Sequence, residues 1–247
     1  MNIGTTESLI MSKIRENGTL CYALIDSQNE ADCYNTAIKV QTLGASGILI
    51  GGSSVTDQME LFNTISKLKT VINIPLILFP GNITGVVAGA NAILFTSLLN
   101  SENPYYITGA QAQGALSIHK YNLEAIPTGY LIVGQGTTAW FIGQARAIPF
   151  DKPAIAVMYA LAAKYMGMRF LYLEAGSGAE EHISPNMVSA VRKHFDNVLI
   201  VGGGITDSDT AAAIAGAGAD IIVIGTLIEK HKNWQDEFHK IVTRIQR

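Results

Sequence analysis

Residues 201–226, VGGGITDSDTAAAIAGAGADIIVIGT, decide the fold. An apolar run ends in three glycines at 202–204, a helical segment of small residues follows, and a second apolar run ends in Gly225 and Thr226. This order predicts a strand, a helix and a parallel strand, with a glycine-rich loop after each strand. In (β/α)8 barrels the loops after strands seven and eight frequently bind phosphate, because glycine lets an anion approach the backbone N–H groups. We therefore predict a phosphate site here, with glycines that serve only tight turns as the alternative.

The rest of the chain repeats this pattern of apolar runs and helical segments. Eight apolar runs lie at 20–26, 47–53, 75–81, 92–99, 129–134, 169–176, 198–205 and 220–226. The predicted helices lie at 30–43, 57–71, 105–121, 153–166, 185–195, 207–217 and 234–247. Continuous rather than alternating apolar runs are typical of parallel strands that are buried on both faces. Eight βα units in 247 residues predict one TIM-barrel domain, residues 1–247, with a doubly wound open sheet as the alternative.

Two connections in this pattern are irregular. Residues 82–91, after the third strand, are glycine-rich and short for a crossover helix, and residues 135–152 form a long loop. The predicted barrel therefore has an irregular or missing helix after strand 3.

Composition and charge exclude several classes of protein. The 17 basic and 20 acidic residues give a net charge of −3, which argues against nucleic-acid binding. The two cysteines are predicted to be reduced core residues. The first residues lack the apolar run of a signal peptide, and prolines and glycines interrupt the apolar stretch 74–99. We expect a soluble, cytoplasmic protein.

Residues 172–178, YLEAGSG, carry the most informative side chain. Glu174 ends a predicted core strand, where a lone carboxylate is costly unless it has a function. The loop after it adjoins the two glycine-rich loops at the same end of the barrel. A carboxylate repels phosphate, so Glu174 is predicted to accept hydrogen bonds from hydroxyl groups of the phosphate-bearing molecule. The ligand predicted from these residues is a polyol phosphate.

The opposite side of the barrel mouth carries a weaker signal. Asp26 and Ser53 end strands one and two, and their oxygen atoms suit Mg²⁺ when substrate phosphates supply further ligands. Asp26 as a helix cap and Ser53 as a turn residue are the alternatives. The many apolar residues between the two sides suit core packing and, in part, a groove for a long apolar ligand. The five histidines form no pattern.

The sequence resembles the geranylgeranylglyceryl phosphate synthase family, which includes bacterial heptaprenylglyceryl phosphate synthases. The stretches that carry the resemblance are ALID (23–26), GILIGGS (47–53), LLNSENPYYITGAQ (98–111), YLEAGSGA (172–179), VGGGI (201–205) and ADIIVIGT (219–226). NPYY and the long loop before residue 152 are similar to the larger group of the family, whose members assemble as hexamers or other homo-oligomers. Ser27 stands where the family often has proline.

The resemblance implies a TIM-barrel prenyltransferase that joins geranylgeranyl diphosphate to the 3-hydroxyl of sn-glycerol 1-phosphate. This reaction releases diphosphate and forms the first ether bond of archaeal membrane lipids. Another prenyl chain length is an alternative. Mg²⁺ would lie at Asp26 and Ser53, the apolar groove would hold the prenyl chain, and release of the lipid product could involve transient membrane contact. The residues implied for sn-glycerol 1-phosphate are Tyr172, Leu173, Glu174, Ala175, Gly176, Ser177, Gly178, Gly203, Gly204, Gly225 and Thr226.

Glu174 is the predicted catalytic residue, as the base for the glycerol hydroxyl. The basic side chains considered for the diphosphate are Arg146 and Lys152. Two rival functions remain: a phosphosugar isomerase or epimerase on the same barrel, and a non-catalytic phosphate-binding barrel.

Overall fold

In the computed structural model, the chain forms a closed barrel of eight parallel strands in sequence order. The structure describes residues 3–26, 30–51 and 57–246. The strands are β1 (Leu20–Ile25), β2 (Gly47–Ile50), β3 (Leu76–Leu78), β4 (Ala92–Leu98), β5 (Glu124–Ile132), β6 (Phe170–Glu174), β7 (Val198–Gly202) and β8 (Ile221–Ile224). β8 pairs with β1 in register, for example Ile224 with Ala23, and so closes the barrel. The predicted TIM barrel is confirmed, and the open sheet is excluded.

In the described residues, helices surround the barrel or lie at its two ends. They are α1 (Thr5–Asn17), α2 (Glu30–Thr42), α3 (Gln58–Leu68), α4 (Ala110–Lys120), α5 (Thr138–Ile142), α6 (Pro153–Tyr165), α7 (Pro185–Arg192), α8 (Ser208–Gly216), α9 (Thr226–Lys230) and α10 (Trp234–Ile245). Local sequence fixes several of their starts. The Asp57 and Asp207 carboxylates accept N–H groups in the first turns of α3 and α8, and a proline begins α6 and α7.

The third connection departs from the regular βα repeat, as predicted. After β3 the chain makes only a 3₁₀ turn, Ile83–Gly85, which begins where the Asn82 side chain accepts the N–H of Thr84. No crossover helix covers the barrel between β3 and β4 in this described segment. The space between the 3₁₀ turn and α4 is therefore open to form a groove.

Three details differ from the sequence prediction. β5 begins at Glu124 rather than at residue 129 and contains Pro127, which lies before the first residue pair that joins β5 to β6. A missing N–H is tolerated at such a position. The segment 105–121 begins as a π-helix, Tyr105–Gly109, before α4. Helices α1, α5 and α9 were not predicted, because each is short or weakly patterned.

Side chains alternate between two layers of core. In β6, Phe170 and Tyr172 point into the barrel, whereas Leu171 and Leu173 pack against the surrounding helices. The same alternation directs Glu174 inward at the carboxyl end of the strand. Glu174 therefore points inward because every second residue of β6 does so, and the two inward residues before it, Phe170 and Tyr172, are buried in the core.

Helix α1 closes the opposite, amino-terminal end of the barrel. Ile10 of α1 packs in the same cluster as the inward-facing strand residues. The Glu124 carboxylate accepts the backbone N–H groups of Thr6 and Glu7, both at 2.7 Å. The Glu7 side chain is buried and forms a two-point ion pair with Arg169, at 2.6 and 2.8 Å. Helix α1 therefore fills this end of the barrel, and the cleft described below opens at the carboxyl ends of the strands.

The structure also bears on the predictions for the cysteines and for membrane-spanning segments. Cys21 and Cys33 are both buried and free of disulfides, as predicted. Among the described residues, no helix combines the length and the apolar character needed to cross a membrane.

Candidate active site

A cleft of about 940 Å³ opens at the carboxyl ends of the barrel strands. This volume lies at the upper end of the range for small-molecule sites, which have volumes of roughly 300–1,000 Å³. The cleft has a polar end at β6, β7 and β8, an acidic end at β1, and an apolar groove beyond β3 and β4. These three regions meet above the inward-facing residues of the barrel core.

Glu174 lies where the regions meet. Its side chain is 5 % exposed and lines the cleft, and Oε1 accepts the backbone N–H of Gly176 at 2.6 Å. Burial raises the pKa of this carboxyl above its ordinary value, while the nearby Tyr172 hydroxyl and the Gly176 N–H partly oppose the shift. The Tyr172 hydroxyl does not reach hydrogen-bond geometry with any described residue. A buried carboxylate with a raised pKa is a better proton acceptor than an exposed one.

Glycines bring the backbone of β6 and β7 together around Glu174. Gly203 has φ of +86°, and a β-carbon there would lie 2.5 Å from the Gly176 nitrogen and 2.6 Å from Glu174 Oε1. Gly202, paired with Glu174 in the sheet, would collide with the Tyr172 hydroxyl if it carried a side chain. The close approach of the two loops therefore requires glycine at both positions.

The polar end offers several hydrogen-bond donors. Within the described residues, the N–H groups of Ser177, Gly203 and Gly204 make no hydrogen bond. By contrast, the N–H groups of Gly176 and Gly178 are already bound, to Glu174 Oε1 and to Thr226 Oγ1 at 2.9 Å. Ser177 and Gly203 line the cleft, and free backbone N–H groups in glycine-rich loops can bind an anion.

Lys230 adds a positive charge to the polar end. Its Nζ lies over the loop at Gly178, 2.5 Å from where a β-carbon of that glycine would be, and the side chain lines the cleft. No ion pair or hydrogen bond ties this ammonium to another residue in the described part of the chain. Glu229 beside it accepts a hydrogen bond from the Ser177 hydroxyl at 3.1 Å. Lys230 was not predicted from the sequence, although its place four residues after Thr226 puts it one helical turn from the predicted loop.

The acidic end contains Asp26, one of the two predicted metal ligands. Asp26 directly follows β1 and lines the cleft, together with Asp32 and Lys39 of α2. Ser53, the other predicted ligand, lies outside the described residues. Among the residues that the structure describes, no group of three or more His, Cys, Asp and Glu side chains forms a metal centre. One or two carboxylates at a cleft nevertheless fit Mg²⁺, which binds proteins through few carboxylates and takes further ligands from substrate phosphates and water.

The apolar groove lies where the third helix is missing. Ile83 and Val86 of the 3₁₀ region form one side, and Gly114 and Ile118 of α4 form the other. Gly114 faces Val86 across the groove, and a β-carbon there would lie in ordinary contact with Val86 Cγ2, at 3.6 Å. These residues mark the part of the cleft in which the apolar groove predicted in part from the sequence would lie.

The basic residues considered for diphosphate binding do not lie at the cleft. Arg146 is exposed outside it, and Lys152 is exposed and pairs with Asp151 at 2.8 Å. Among the described residues, Lys39 is a basic side chain that lines the acidic end. The histidines, all of them described, do not line the cleft, consistent with the absence of a histidine pattern in the sequence.

The fold and the cleft define a class: a (β/α)8 barrel in which a glycine-lined polar end, a buried carboxylate and an apolar groove share one cavity. Residues 15–244 match the model of the PcrB family. The geranylgeranylglyceryl phosphate synthases of Nitrosopumilus maritimus and Cenarchaeum symbiosum are each 53 % identical to this chain, over 98 % and 92 % of it and 97 % and 93 % of their own lengths. The chain belongs to the PcrB family, and the resemblance to the geranylgeranylglyceryl phosphate synthases is confirmed.

Solved structures agree with this assignment. The (S)-3-O-geranylgeranylglyceryl phosphate synthase of Thermoplasma acidophilum, solved in complex with its substrate sn-glycerol-1-phosphate, superposes with a TM-score of 0.93 at 37 % identity, covering 99 % of both chains. The enzyme from Thermoplasma volcanium superposes with a TM-score of 0.92 at 35 % identity, covering 99 % of this chain and 98 % of its own.

Proposed function

We propose that this chain is a magnesium-dependent prenyltransferase that joins geranylgeranyl diphosphate to the 3-hydroxyl of sn-glycerol 1-phosphate. The observation that carries the proposal is the position of Glu174, a buried carboxylate between a cluster of free N–H groups and an apolar groove. Such a junction suits a reaction between a phosphorylated polyol and a long apolar donor. The names of the relatives described above support the same reaction.

The glycerol phosphate would bind at the polar end of the cleft. The free N–H groups of Ser177, Gly203 and Gly204 would donate to the phosphate, while Thr226 would hold the loop through its bond to Gly178. The remaining residues implied by the resemblance, Leu173, Ala175 and Gly225, would contribute backbone rather than side-chain contacts, since they are apolar or lack a side chain.

Glu174 would bind the glycerol hydroxyls and act as the base. The bond between the allylic carbon and diphosphate breaks, and its electron pair leaves with the diphosphate. The 3-hydroxyl oxygen forms the new ether bond, and its proton passes to Glu174. The filled barrel interior and the prenyl groove keep water away from the reacting carbon, and anchoring of the phosphate fixes the approach of the hydroxyl.

Asp26 and Ser53 are the proposed Mg²⁺ ligands. When bound, the ion supplies positive charge that neutralises the diphosphate leaving group. Asp26 would contribute a carboxylate oxygen from the end of β1, and Lys39 would add a positive charge from α2. The prenyl chain would extend from this end into the groove between the 3₁₀ turn and α4.

A phosphosugar isomerase or epimerase fits the cleft less well. Such an enzyme needs a second acid or base facing Glu174 across the substrate. Tyr130 and Tyr172 line the cleft close to Glu174, and burial raises the pKa of each well above its ordinary value. They are too weakly acidic for proton exchange near neutral pH. The apolar groove also has no role in such a reaction.

The homo-oligomer is likewise a proposal from the resemblance. Met158 and Tyr165 on α6 and Met166 after it are exposed apolar side chains, which suit a contact between subunits. The length of the prenyl donor and the membrane contact during product release are also proposed from the resemblance alone.

The function is tested by incubating the protein with sn-glycerol 1-phosphate, Mg²⁺ and prenyl diphosphates of several lengths. We expect release of diphosphate and a prenylglyceryl phosphate that extracts into organic solvent and is identified by mass spectrometry. A chelator should abolish turnover, and added Mg²⁺ should restore it. sn-Glycerol 3-phosphate serves as the stereochemical control. If no donor of any length gives a product, the proposed function is wrong.

Lys230→Met is expected to raise KM for sn-glycerol 1-phosphate about tenfold or more, because a charge-assisted contact contributes about 1.5–3 kcal/mol. The neutral N–H donors leave the phosphate charge incompletely balanced, and both Glu174 and Glu229 lie nearby. KM for the prenyl diphosphate should be unchanged, and Lys230→Arg should retain most of the affinity. Steady-state kinetics with each substrate varied separately measures both constants.

Lys232→Met is the matched control for this variant. Lys232 is exposed, lies two residues further along and does not line the cleft. Removing its charge changes the net charge of the protein equally. An equal rise in KM in the two variants would show that Lys230 acts only through the net charge of the protein and does not contact the phosphate.

A further inference from the structure

Three consecutive residues after β6, 176–178, are each held by a different side chain. We call these three residues the β6 loop. The first residue of the loop donates its N–H to Glu174 Oε1 at 2.6 Å. The second donates its hydroxyl to Glu229 Oε2 at 3.1 Å, and the third donates its N–H to Thr226 Oγ1 at 2.9 Å. Two of the three partners belong to α9, so this short helix supports the β6 loop from outside the strand.

Helix α9 has a position that does not depend on the β6 loop. It begins at Thr226, directly after β8, and Leu227 is buried in the core between the barrel and its helices. Thr226 and Glu229 are three residues apart, which places both side chains on the same face of the helix. Both residues line the cleft. The barrel core therefore fixes α9, and α9 can in turn fix the loop.

The backbone of the β6 loop needs such support. Gly176 and Gly178 have φ of +104° and +73°, a conformation that glycine adopts readily. Glycine also has the most backbone freedom to lose when a segment becomes ordered. The Ser177 N–H between them makes no hydrogen bond within the described residues. An anion binds more tightly when such donors are already fixed before it arrives.

Electrostatics alone does not explain a carboxylate at this position. Glu229 lines the end of the cleft proposed to bind a phosphate, and like charges repel each other. Solvent weakens this repulsion because Glu229 is exposed, and the Lys230 ammonium beside the same loop opposes it. A hydrogen bond to a charged acceptor is stronger than one between neutral groups. We therefore expect the contact with Ser177 to outweigh the repulsion.

We propose that Glu229 is a positioning residue for the glycerol phosphate. It acts through the Ser177 hydroxyl and holds the β6 loop in the conformation in which the Ser177 N–H is available to the phosphate. This inference rests on the proposed function, because it concerns the end of the cleft assigned there to sn-glycerol 1-phosphate. Glu229 itself contacts neither the phosphate nor the reacting atoms.

A double-mutant cycle tests the contact. Glu229→Ala and Ser177→Ala are each expected to raise Kd for sn-glycerol 1-phosphate about five- to tenfold, the scale of one hydrogen bond to a charged group at an exposed site. The double variant should lose little more than either single variant, because both substitutions remove the same contact. Calorimetric titration measures Kd without turnover. The kcat should stay within about threefold of the wild type, because Glu174 is held by β6 and not by α9.

A conservative variant and a control separate the hydrogen bond from the charge. Glu229→Gln keeps an oxygen that can accept the Ser177 hydroxyl, so its Kd should stay within about threefold of the wild type. Glu180→Ala removes the same charge from an exposed residue that follows the loop and does not line the cleft, and it should leave Kd unchanged. Thermal unfolding checks each variant, and Ser177→Ala tests the same contact if Glu229→Ala does not fold.

The sign of the change in Kd is decisive. If repulsion dominates, Glu229→Ala binds sn-glycerol 1-phosphate as tightly as the wild type or more tightly, and the inference is wrong. Additive losses in the double variant would also overturn it, since the two side chains would then act independently. Either result leaves the proposed function standing as long as the wild type forms the ether product. If the wild type forms no product from any donor, the proposed function itself fails.

Discussion

Glu174→Gln is expected to lower kcat by about 10²–10⁴-fold, the contribution of a positioned general base. The glutamine side chain has nearly the same shape, and its amide oxygen can still accept the Gly176 N–H that Glu174 now binds. What it cannot do is take the proton of the glycerol hydroxyl. KM for sn-glycerol 1-phosphate should change far less than kcat, because the hydrogen-bonding oxygen is retained. Single-turnover kinetics measures the chemical step directly.

The pH dependence gives this prediction a second measurement. Burial raises the pKa of Glu174, so the carboxylate takes up a proton at a higher pH than an ordinary glutamate. Activity of the wild type should therefore fall as the pH is lowered through this raised pKa, and the fall should begin at a higher pH than for an exposed carboxylate. Glu174→Gln should lack this acidic limb in its residual activity.

The same shift predicts the effect on stability. A carboxyl whose pKa is higher in the folded than in the unfolded state favours folding most when it is protonated, and this contribution is lost as the pH rises through the folded-state pKa. At neutral pH a neutral glutamine therefore avoids the cost of burying a charge. The Tm of Glu174→Gln should equal or exceed that of the wild type, which calorimetry can measure.

Glu16→Gln controls for loss of a carboxylate as such. Glu16 is exposed on α1, away from the cleft, and accepts a hydrogen bond from the Ser12 hydroxyl at 2.7 Å. Its replacement should leave kcat and the pH profile unchanged. If Glu174→Gln keeps near-normal turnover, Glu174 is not the base and only binds the glycerol hydroxyls.

Gly203→Ala is expected to reduce kcat/KM for sn-glycerol 1-phosphate at least about 100-fold, the loss that follows when one catalytic hydrogen-bond donor is removed from an anion site. The added methyl group would meet the Gly176 nitrogen at 2.5 Å and Glu174 Oε1 at 2.6 Å. The two loops must then separate, which displaces both the Glu174 carboxylate and the free N–H groups from their positions. Both binding and catalysis should suffer.

Gly167→Ala isolates the steric effect from the backbone effect. Gly167 also has a positive φ, +78° against +86° at Gly203, but a β-carbon there meets nothing within 4 Å. Alanine at either position carries the cost of a left-handed backbone, about 1 kcal/mol or more. We expect Gly167→Ala to lower stability by that amount and to keep full activity. Chemical denaturation measures the first quantity, and steady-state kinetics measures the second.

Full activity in Gly203→Ala would contradict the inference that the close approach of the loops after β6 and β7 forms the phosphate site. An equal loss of activity in both alanine variants would point instead to global destabilisation. Binding of sn-glycerol 1-phosphate measured by calorimetry distinguishes a lost binding site from a displaced base, since only the former removes the heat of binding.

Much of the barrel could be predicted because its signals are local. Continuous apolar runs, each punctuated by glycine or a small polar residue, identified all eight strands, and the short segment after strand three identified the missing helix. The errors also have local causes. Pro127 hid the first part of β5, since proline is usually a strand breaker, and the NPYY segment gave no sign of its π-helical turn.

The site was predictable to the extent that chemistry is tied to strand ends. Glu174 and Asp26 end their strands, and parallel strands deliver their carboxyl ends to one face, so both were expected at the cleft. Long side chains from helices were harder to predict. Lys230 and Lys39 reach the cleft from α9 and α2, whereas Arg146 and Lys152 do not reach it. The sequence shows that a residue is charged but not where its side chain points, because that direction depends on the packing of the folded chain.

The sequence by itself determined the order of strands, the glycines of the loops, the carboxylate at the end of β6 and the family. The tertiary structure decided which backbone N–H groups remain free, how deeply Glu174 is buried, and that Phe79, Tyr130 and Tyr172 meet above the core. The physical reason is the sequence separation over which the interactions act. Strand periodicity and glycine conformation depend on neighbouring residues, whereas burial, pKa shifts and ring contacts depend on residues brought together only when the barrel closes.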